Sequence, residues 1–170
     1  MLALVLLYVG AVLINNGICR LSNIDAKTTA IMNLFVAFLS ITTSIILVIC
    51  ASATSAEIQS FYAAAMSLLF GFTYLFIACN LLFNLDLRAY GWYSLFVALN
   101  TIPAALLSYG ESFQEKAFMC IWLAWGVLWF IGFVECVLKI TLKWTPYLAI
   151  LEGIFTALIP AWLFFLGYWH

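Results

Sequence analysis

Charged side chains are scarce in this chain of 170 residues. Six lysines and arginines and seven aspartates and glutamates amount to 8% of the sequence, whereas hydrophobic residues make up 68%. A soluble globular domain carries roughly 25% charged residues. So few polar groups cannot cover a surface that faces water. The composition therefore excludes a soluble domain, and lipid is the expected solvent.

Histidines and clustered cysteines are also lacking. His170 is the single histidine, which excludes a multi-histidine metal centre. The cysteines are scattered, at Cys19, Cys50, Cys79, Cys120 and Cys136. An odd, scattered set argues against a disulfide framework or a metal site and favours simple apolar packing. Because no nucleophile–base pair or metal cluster is visible either, we expect no enzyme, no cofactor, no metal and no nucleic-acid partner.

The sequence contains instead six long apolar runs. Crossing a bilayer takes about 20 residues, within a usual range of about 17–25. The runs cover approximately residues 2–18, 28–51, 61–83, 90–109, 117–140 and 146–169. We therefore predict an all-α membrane protein, a single integral membrane domain over residues 1–170 with six transmembrane helices. No basic residue precedes the first run and no small-residue cleavage pattern follows it, which favours a retained helix over a signal peptide.

The few basic residues lie mainly on one side of the predicted bundle. Five of the six fall near the connections between helices 1 and 2, 3 and 4, and 5 and 6, at Arg20, Lys27, Arg88, Lys139 and Lys143. Cytoplasmic loops of membrane proteins carry an excess of lysine and arginine. We therefore expect these three connections in the cytoplasm and both termini outside.

An internal repeat follows the basic residues. Asp-Ala-Lys at 25–27 is followed by Leu-Phe-Val-Ala at 34–37, and Asp-Leu-Arg at 86–88 is followed in the same register by Leu-Phe-Val-Ala at 95–98. Thr-Leu-Lys at 141–143 begins a weaker third copy. The repeat predicts three helical hairpins that pack around a central pore.

Counting back 14, 18 and 21 residues from Lys27, Arg88 and Lys143 selects side chains at one common depth. The set is Leu6, Val9, Leu13, Ser67, Phe70, Tyr74, Trp122, Trp125 and Trp129. The three tryptophans follow an i, i+3, i+7 spacing, so they point the same way from helix 5. Around a common axis, these side chains would form a narrow slot with one aliphatic wall and one aromatic wall.

Such a slot suits a small, neutral, planar solute. None of the proposed lining residues is charged, and a charge at mid-bilayer is costly. A flat amide could slide between the rings and exchange water for indole N–H groups, the Tyr74 hydroxyl or backbone groups. The alternative interpretation is that the stripe is a packing ridge. Six other aromatic residues fit the belts at the membrane surface: Trp92, Tyr93, Trp144, Tyr147, Tyr168 and Trp169.

Two acidic residues fall inside the predicted helices, where acids are functional candidates. Glu135 lies near the cytoplasmic end and four residues before Lys139, a spacing that suits an ion pair. Glu152 lies next to Gly153 on helix 6, and it is either a structural hydrogen-bond acceptor or a pore residue. Proton coupling through either acid would make the protein a secondary transporter.

Several segments resemble the AmiS/UreI family of urea and short-amide channels. They are residues 4–10, 68–74, 92–98, 100–105, 122–129 and 159–162. The segment Trp-Leu-Ala-Trp-Gly-Val-Leu-Trp at 122–129 is highly specific, and the resemblance covers nearly the whole chain. It is strongest to the proton-gated, urease-associated branch of the family.

The resemblance implies a homohexamer in the bacterial inner membrane, with one pore per protomer and both termini periplasmic. It assigns pore-lining roles to Val9, Leu13, Phe70, Tyr74, Trp125, Leu128 and Trp129, with Leu6 and Trp122 nearer the outer mouth. Glu152 matches a helix-6 glutamate of the family.

The predicted function is a passive channel that supplies urea to a cytoplasmic urease and is opened by external acid. The alternatives are an ungated short-chain amide channel and a proton-coupled amide transporter. The gated members carry a long first periplasmic loop with histidines, whereas residues 52–60 here are few and hold none. The candidate acid-sensing groups are therefore Glu57, Glu111, Glu115 and His170.

Overall fold

Long helices account for most of the chain. The structure, a computed structural model, describes residues 1–51 and 57–170, except for the side chain of Glu57. The described residues form α1 (Leu2–Leu21), α2 (Ala26–Ala51), α3 (Glu57–Phe83), α4 (Leu87–Ser108), α5 (Phe113–Cys136) and α6 (Thr145–Phe165). Each of the six is long and apolar enough to cross a membrane. The chain is an all-helical membrane protein, as its composition predicts.

The helix ends differ from the limits of the apolar runs because hydrogen-bonded caps set them. α5 begins at Phe113, four residues earlier than predicted, since Ser112 and Glu115 form a reciprocal capping box. It ends at Cys136 rather than at residue 140, and Lys139 adopts a left-handed backbone with φ of 61°. α6 ends at Phe165, two residues before Gly167, whose φ is 76°.

The turns that follow α1 and α3 share one structure. Asn23 and Asn84 have φ of 53° and 52°, a conformation that asparagine tolerates better than most residues. Two residues later an aspartate caps the next helix: Asp25 accepts a hydrogen bond from the Thr28 N–H, and Asp86 accepts one from the Arg88 N–H. The internal repeat thus has a counterpart in the backbone.

The side of the bundle that holds the connections α1–α2, α3–α4 and α5–α6 is called the basic end. The opposite side, which holds both termini, is called the terminal end.

Helix packing is shifted by one element relative to the predicted hairpins. The most extensive contacts join α2 with α3, α4 with α5 and α6 with α1, whereas helices connected at the basic end touch one another much less. Small residues permit the α1–α6 approach: a Cβ on Gly10 would lie 2.9 Å from the carbonyl oxygen of Gly153. The odd-numbered helices supply most of the lining of the interior.

α6 contains a π-helical stretch at Gly153–Leu158. Such wide turns are often found at functional sites. This one begins where α6 meets Gly10 of α1, and it carries Thr156, whose hydroxyl faces α5. The stretch therefore connects the α1–α6 contact to the tryptophan stripe.

Candidate functional site

Two cavities lie inside the bundle within the described residues, one toward each end. The terminal-end cavity has a volume of about 590 Å³ and the basic-end cavity a volume of about 350 Å³. Phe70 and Trp125 border both cavities. These two rings therefore form part of the partition between the two spaces.

The residues selected from sequence lie along this path. Leu6, Val9, Ser67 and Trp122 border the terminal-end cavity. Leu13, Tyr74, Leu128 and Trp129 border the basic-end cavity. Their order along the axis matches the expectation that Leu6 and Trp122 lie nearer the end with the termini, while their role in conduction stays a prediction.

The partition is an aromatic cluster centred on Phe70. Its ring centroid lies 4.8 Å from that of Trp125, 4.9 Å from that of Trp129 and 6.2 Å from that of Trp122. Trp122 and Trp125 meet edge-on at 5.1 Å. Such tilted and edge-on contacts are favourable between aromatic rings. The stripe is thus both packed and exposed to cavities, so the two interpretations of its spacing are compatible.

Two threonines hold the indoles in place. Trp125 Nε1 donates to Thr156 Oγ1 at 2.8 Å, and Trp129 Nε1 donates to Thr73 Oγ1 at 3.0 Å. The Thr73 hydroxyl in turn donates to the Leu69 carbonyl at 2.7 Å, and the Thr156 hydroxyl donates to the Glu152 carbonyl. Both of these indole N–H groups are therefore paired in this arrangement, so a solute would have to displace a threonine hydroxyl to bind them.

Sequence reasoning missed both threonines. Their partners lie 31 and 56 residues away in the chain, so no local spacing connects them. The available signal was that Thr73 precedes Tyr74 on the lumenal side of α3, and that Thr156 follows Glu152 by one helical turn.

Polar groups are concentrated around the basic-end cavity, whose wall includes Asn16, Arg20, Thr29, Asn80, Glu135 and Thr145. Glu135 accepts two hydrogen bonds from Arg20, at 2.7 and 2.8 Å. It also accepts from the Leu142 N–H at 3.0 Å and the Thr145 hydroxyl at 2.9 Å. This carboxylate therefore ties α1 to the α5–α6 connection.

The predicted pair between Glu135 and Lys139 is wrong. The i, i+4 geometry requires a continuous helix, but α5 ends at Cys136 and Lys139 lies in a left-handed turn. Arg20 takes the place of Lys139. Because this pair cancels its own charge, the wall of the basic-end cavity carries no isolated charge from Glu135.

Glu152 is buried, with 5% of its surface exposed, and it is not among the residues that border either cavity. Its Oε2 atom has no hydrogen-bond partner in the described part of the chain. Its backbone carbonyl accepts from Thr156, which in turn holds Trp125. The structure therefore connects Glu152 to the aromatic partition through the helix backbone.

At the terminal end, the last residue is fastened to α5. The His170 N–H donates to Gln114 Oε1 at 3.1 Å, and the His170 carbonyl accepts from Gln114 Nε2 at 2.7 Å. His170 borders the terminal-end cavity. Glu115 is engaged in the α5 capping box and Glu111 is exposed. The side chain of Glu57 lies outside the described residues.

Two aromatic residues assigned to the membrane surface differ in their surroundings. Trp92 is 59% exposed, which fits a surface belt, but Trp169 is only 8% exposed. Trp169 packs against Phe118 and Phe164, with ring centroids 5.5 and 5.7 Å apart. Its side chain therefore faces the protein, because the chain beyond α6 folds back onto α5.

At the basic end, the hydrogen bonds from Arg88 lower the pKa of Asp86 to about 2. Asp86 therefore remains ionised in mild acid. The cap of α4 does not respond to such a change in pH.

Comparison with known proteins identifies the family. Residues 1–168 match the model of the AmiS/UreI family, described as an AmiS/UreI family transporter. The chain belongs to the AmiS/UreI family. Its relatives are named as channels and transporters. The chain is accordingly a membrane transport protein rather than an enzyme.

Relatives in the family include proteins with two kinds of substrate in their names. The acid-activated urea channel of Helicobacter pylori is 50% identical over 194 residues, covering 99% of this chain and 100% of the relative. An amidate substrates transporter protein of Mycolicibacterium smegmatis is 36% identical over 167 residues, covering 97% of this chain and 76% of the relative.

Solved structures of the family have the same fold. The Helicobacter pylori urea channel in its closed state, determined by cryo-electron microscopy, matches with a TM-score of 0.92 at 53% identity. A crystal structure of the urea channel from the same organism matches with a TM-score of 0.89 at 54% identity. Both matches cover 100% of each chain.

Proposed function

We propose that this protein is a passive channel for urea, opened by external acid. The observation that carries the proposal is the pair of cavities that approach each other from opposite ends and meet at an uncharged aromatic partition. The 50% identity to a protein named as an acid-activated urea channel supports urea as the solute.

The chemistry of the partition favours a flat, neutral solute. Nine side chains are proposed to line the pore, and none of them carries a charge: Leu6, Val9, Leu13, Phe70, Tyr74, Trp122, Trp125, Leu128 and Trp129. An ion would lose its hydration here without compensation. Urea is planar and uncharged, so its faces suit the rings while its polar edges require partners on either side of the partition.

We place the protein in the bacterial inner membrane with both termini in the periplasm. The support is the charge bias of the connections, since Arg20, Lys27, Arg88, Lys139 and Lys143 all lie toward the basic end. The family resemblance supports a homohexamer with one pore in each protomer. A cytoplasmic urease would consume the urea that enters and thereby maintain the inward gradient.

Acid opening is assigned to groups at the terminal end. His170 borders the terminal-end cavity and is tied to α5 through Gln114. Glu111 lies just before that helix and Glu115 in its first turn, and Glu57 is the fourth candidate. A change of charge here acts on the mouth of the terminal-end cavity and leaves the aromatic partition itself untouched.

The test is solute flux into proteoliposomes that contain the purified protein. We expect urea to equilibrate faster than in empty liposomes when the external solution is acidic, with no dependence on membrane potential. Faster equilibration of acetamide than of urea, at all pH values, would favour the ungated amide channel. Urea accumulation above equilibrium under an imposed proton gradient would indicate a coupled transporter.

A further inference from the structure

Asn80 carries a buried amide group with no hydrogen-bond partner. Only 5% of its surface is exposed, and neither Nδ2 nor Oδ1 finds a partner among the residues that the structure describes. Buried polar groups are nearly always paired, and leaving one unpaired costs free energy. A buried hydroxyl group can rotate and bond to a carbonyl of its own helix. The carboxamide of Asn80 is harder to satisfy, because it presents both a donor and an acceptor that need partners.

Asn80 lies on the path between the aromatic partition and the basic end. It lies in the wall of the basic-end cavity, on the face of α3 that also carries Thr73 and Ile77. Thr73 holds Trp129 at the partition. Seven residues of helix rise by about 10 Å, so Asn80 lies about two turns beyond the aromatic cluster toward the basic end.

The other asparagine of this cavity is already satisfied. Asn16 Nδ2 donates to Asn33 Oδ1 at 2.9 Å, and Asn33 Nδ2 donates to Asn16 Oδ1 at 2.7 Å. Two carboxamides thus pair edge to edge in this protein, each giving one N–H and one C=O. Urea and short amides present the same edge, with a C=O beside an N–H. Asn80 is therefore the carboxamide of this wall that is free to form such a pair.

We propose that Asn80 is a binding and selectivity residue, whose carboxamide pairs with the amide edge of the permeating solute as it leaves the aromatic partition. This inference rests on the proposed function. The two amide atoms are covered in the present arrangement, each with less than 1 Å² exposed, so the side chain turns toward the cavity to engage the solute. This pair supplies hydrogen bonds to the polar edges of the solute, which the aromatic rings leave unpaired.

The experiment compares Asn80→Ala and Asn80→Leu with the parent in proteoliposomes at acidic external pH. Urea permeability should fall by about 5- to 30-fold in both variants, the size of one or two net hydrogen bonds. Asn80→Ala separates hydrogen bonding from bulk, because it widens the cavity. Unchanged or faster urea flux in Asn80→Ala would overturn the proposal.

Thermal stability in detergent is the second readout. Removing an unpartnered polar group in favour of an apolar one of similar size should leave the melting temperature of Asn80→Leu at or above that of the parent. The matched control is Asn100→Leu on α4, since the Asn100 amide donates to the Phe96 carbonyl of its own helix, and its urea flux should equal the parent's. A melting temperature for Asn80→Leu below that of Asn100→Leu would mean that Asn80 has a structural partner, which would overturn the proposal.

The two proposals fail in different ways. If the parent itself passes urea no faster than empty liposomes, the proposed function is wrong. If the parent passes urea and both Asn80 variants match it, the channel function stands and the role of Asn80 is wrong.

Discussion

Trp125 and Trp129 reach the lumen from one helix, yet each is held by a threonine of a different helix. Thr156 belongs to α6 and Thr73 to α3. Both threonines also donate to a carbonyl of their own helix, so their acceptor side is turned to the indole. The two rings therefore connect α5 to two other helices.

Replacing either threonine by valine keeps the side-chain volume and removes the acceptor. We expect Thr156→Val and Thr73→Val each to destabilise the protein by about 1–3 kcal/mol, the cost of leaving a buried donor unpaired. The freed ring should also lower the preference for urea over bulkier amides. Thr101→Val is the control, since the Thr101 hydroxyl bonds to the Ala98 carbonyl of its own helix. Solute flux and thermal unfolding measure both effects, and equal behaviour of all three variants would contradict the anchoring role.

Removing the rings tests the partition directly. Trp125→Ala and Trp129→Ala open space between the cavities, so discrimination against large amides should weaken. Trp92 and Trp162 are 59% and 53% exposed on the outside of the bundle, and their alanine variants should keep the parent's selectivity. Relative permeabilities for urea and thiourea, measured at equal expression, provide the comparison. Identical results for all four variants would show that the solute does not pass this cluster.

At the scale of the helices, α1 makes a close backbone contact with the π-helical stretch of α6. A Cβ on Gly10 would lie 2.9 Å from the Gly153 carbonyl oxygen and 3.0 Å from the Leu158 nitrogen. Both atoms belong to the backbone and cannot move aside as a side chain can. Val9 borders the terminal-end cavity beside this contact, so a shift of α1 away from α6 would also move the wall of that cavity.

Gly10→Ala should therefore destabilise the protein by about 1–3 kcal/mol, the usual cost of overpacking, and alter urea flux. Gly71→Ala is the matched control. Its nearest neighbour would be the Ile41 side chain at 2.9 Å, which can rearrange. Thermal unfolding of the two variants in detergent measures the loss of stability in each. A loss at Gly10 no larger than that at Gly71 would contradict a rigid backbone contact between α1 and α6.

Helix identity was predictable from sequence, but helix pairing was not. Apolar runs longer than a bilayer requires leave little choice of structure, so all six helices of the described chain fall where expected. The ends of α5 depended on the Ser112 cap and the turn at Lys139, which hydropathy does not record. The residues that the repeat selects border the two cavities in the expected order, because position along a helix follows from helix rise alone. The repeat could not give the neighbours, since these depend on where small residues such as Gly10 let backbones meet.

In the site too, features within one helix were predictable from sequence and contacts between helices were not. The tryptophan stripe was visible because its members share a helix and a period. The partners of Trp125, Trp129 and Glu135 were not, since each lies on another helix far along the chain. Arg20 illustrates the point, because sequence proximity favoured Lys139 and only the α1–α5 geometry brings Arg20 to the carboxylate.

At the scale of the whole molecule, the charge bias makes a directional prediction. Ser22 lies in the first turn of the basic end, and Glu111 lies exposed at the terminal end. In a cysteine-free background, an impermeant thiol reagent applied to intact cells should label Glu111→Cys and spare Ser22→Cys. Labelling after the cells are opened serves as the control for accessibility. Preferential labelling at position 22 would reverse the orientation.

Acid opening is the remaining property of the whole molecule, and it depends on the terminal end. Histidine is the side chain that titrates between about pH 5 and pH 8. Protonation of His170 would add a positive charge at the mouth of the terminal-end cavity, which Met1 and Tyr62 also border. Glu111, Glu115 and Lys116 lie on the neighbouring turn and the start of α5. A positive His170 would be drawn toward the two carboxylates and would pull on Gln114, which moves the start of α5.

We therefore expect urea flux in the parent to rise as external pH falls from about 7 to about 5. His170→Ala should weaken this rise or shift its midpoint. Glu111→Gln combined with Glu115→Gln should do the same, and glutamine at 115 preserves the capping box. Asp86→Asn at the basic end is the control, because the low pKa of Asp86 keeps it ionised throughout this range. Uptake of labelled urea against external pH measures all four proteins. A flat parent profile would exclude acid opening, and a pH-dependent profile that none of these changes shifts would assign the sensor to Glu57 or to a buried acid.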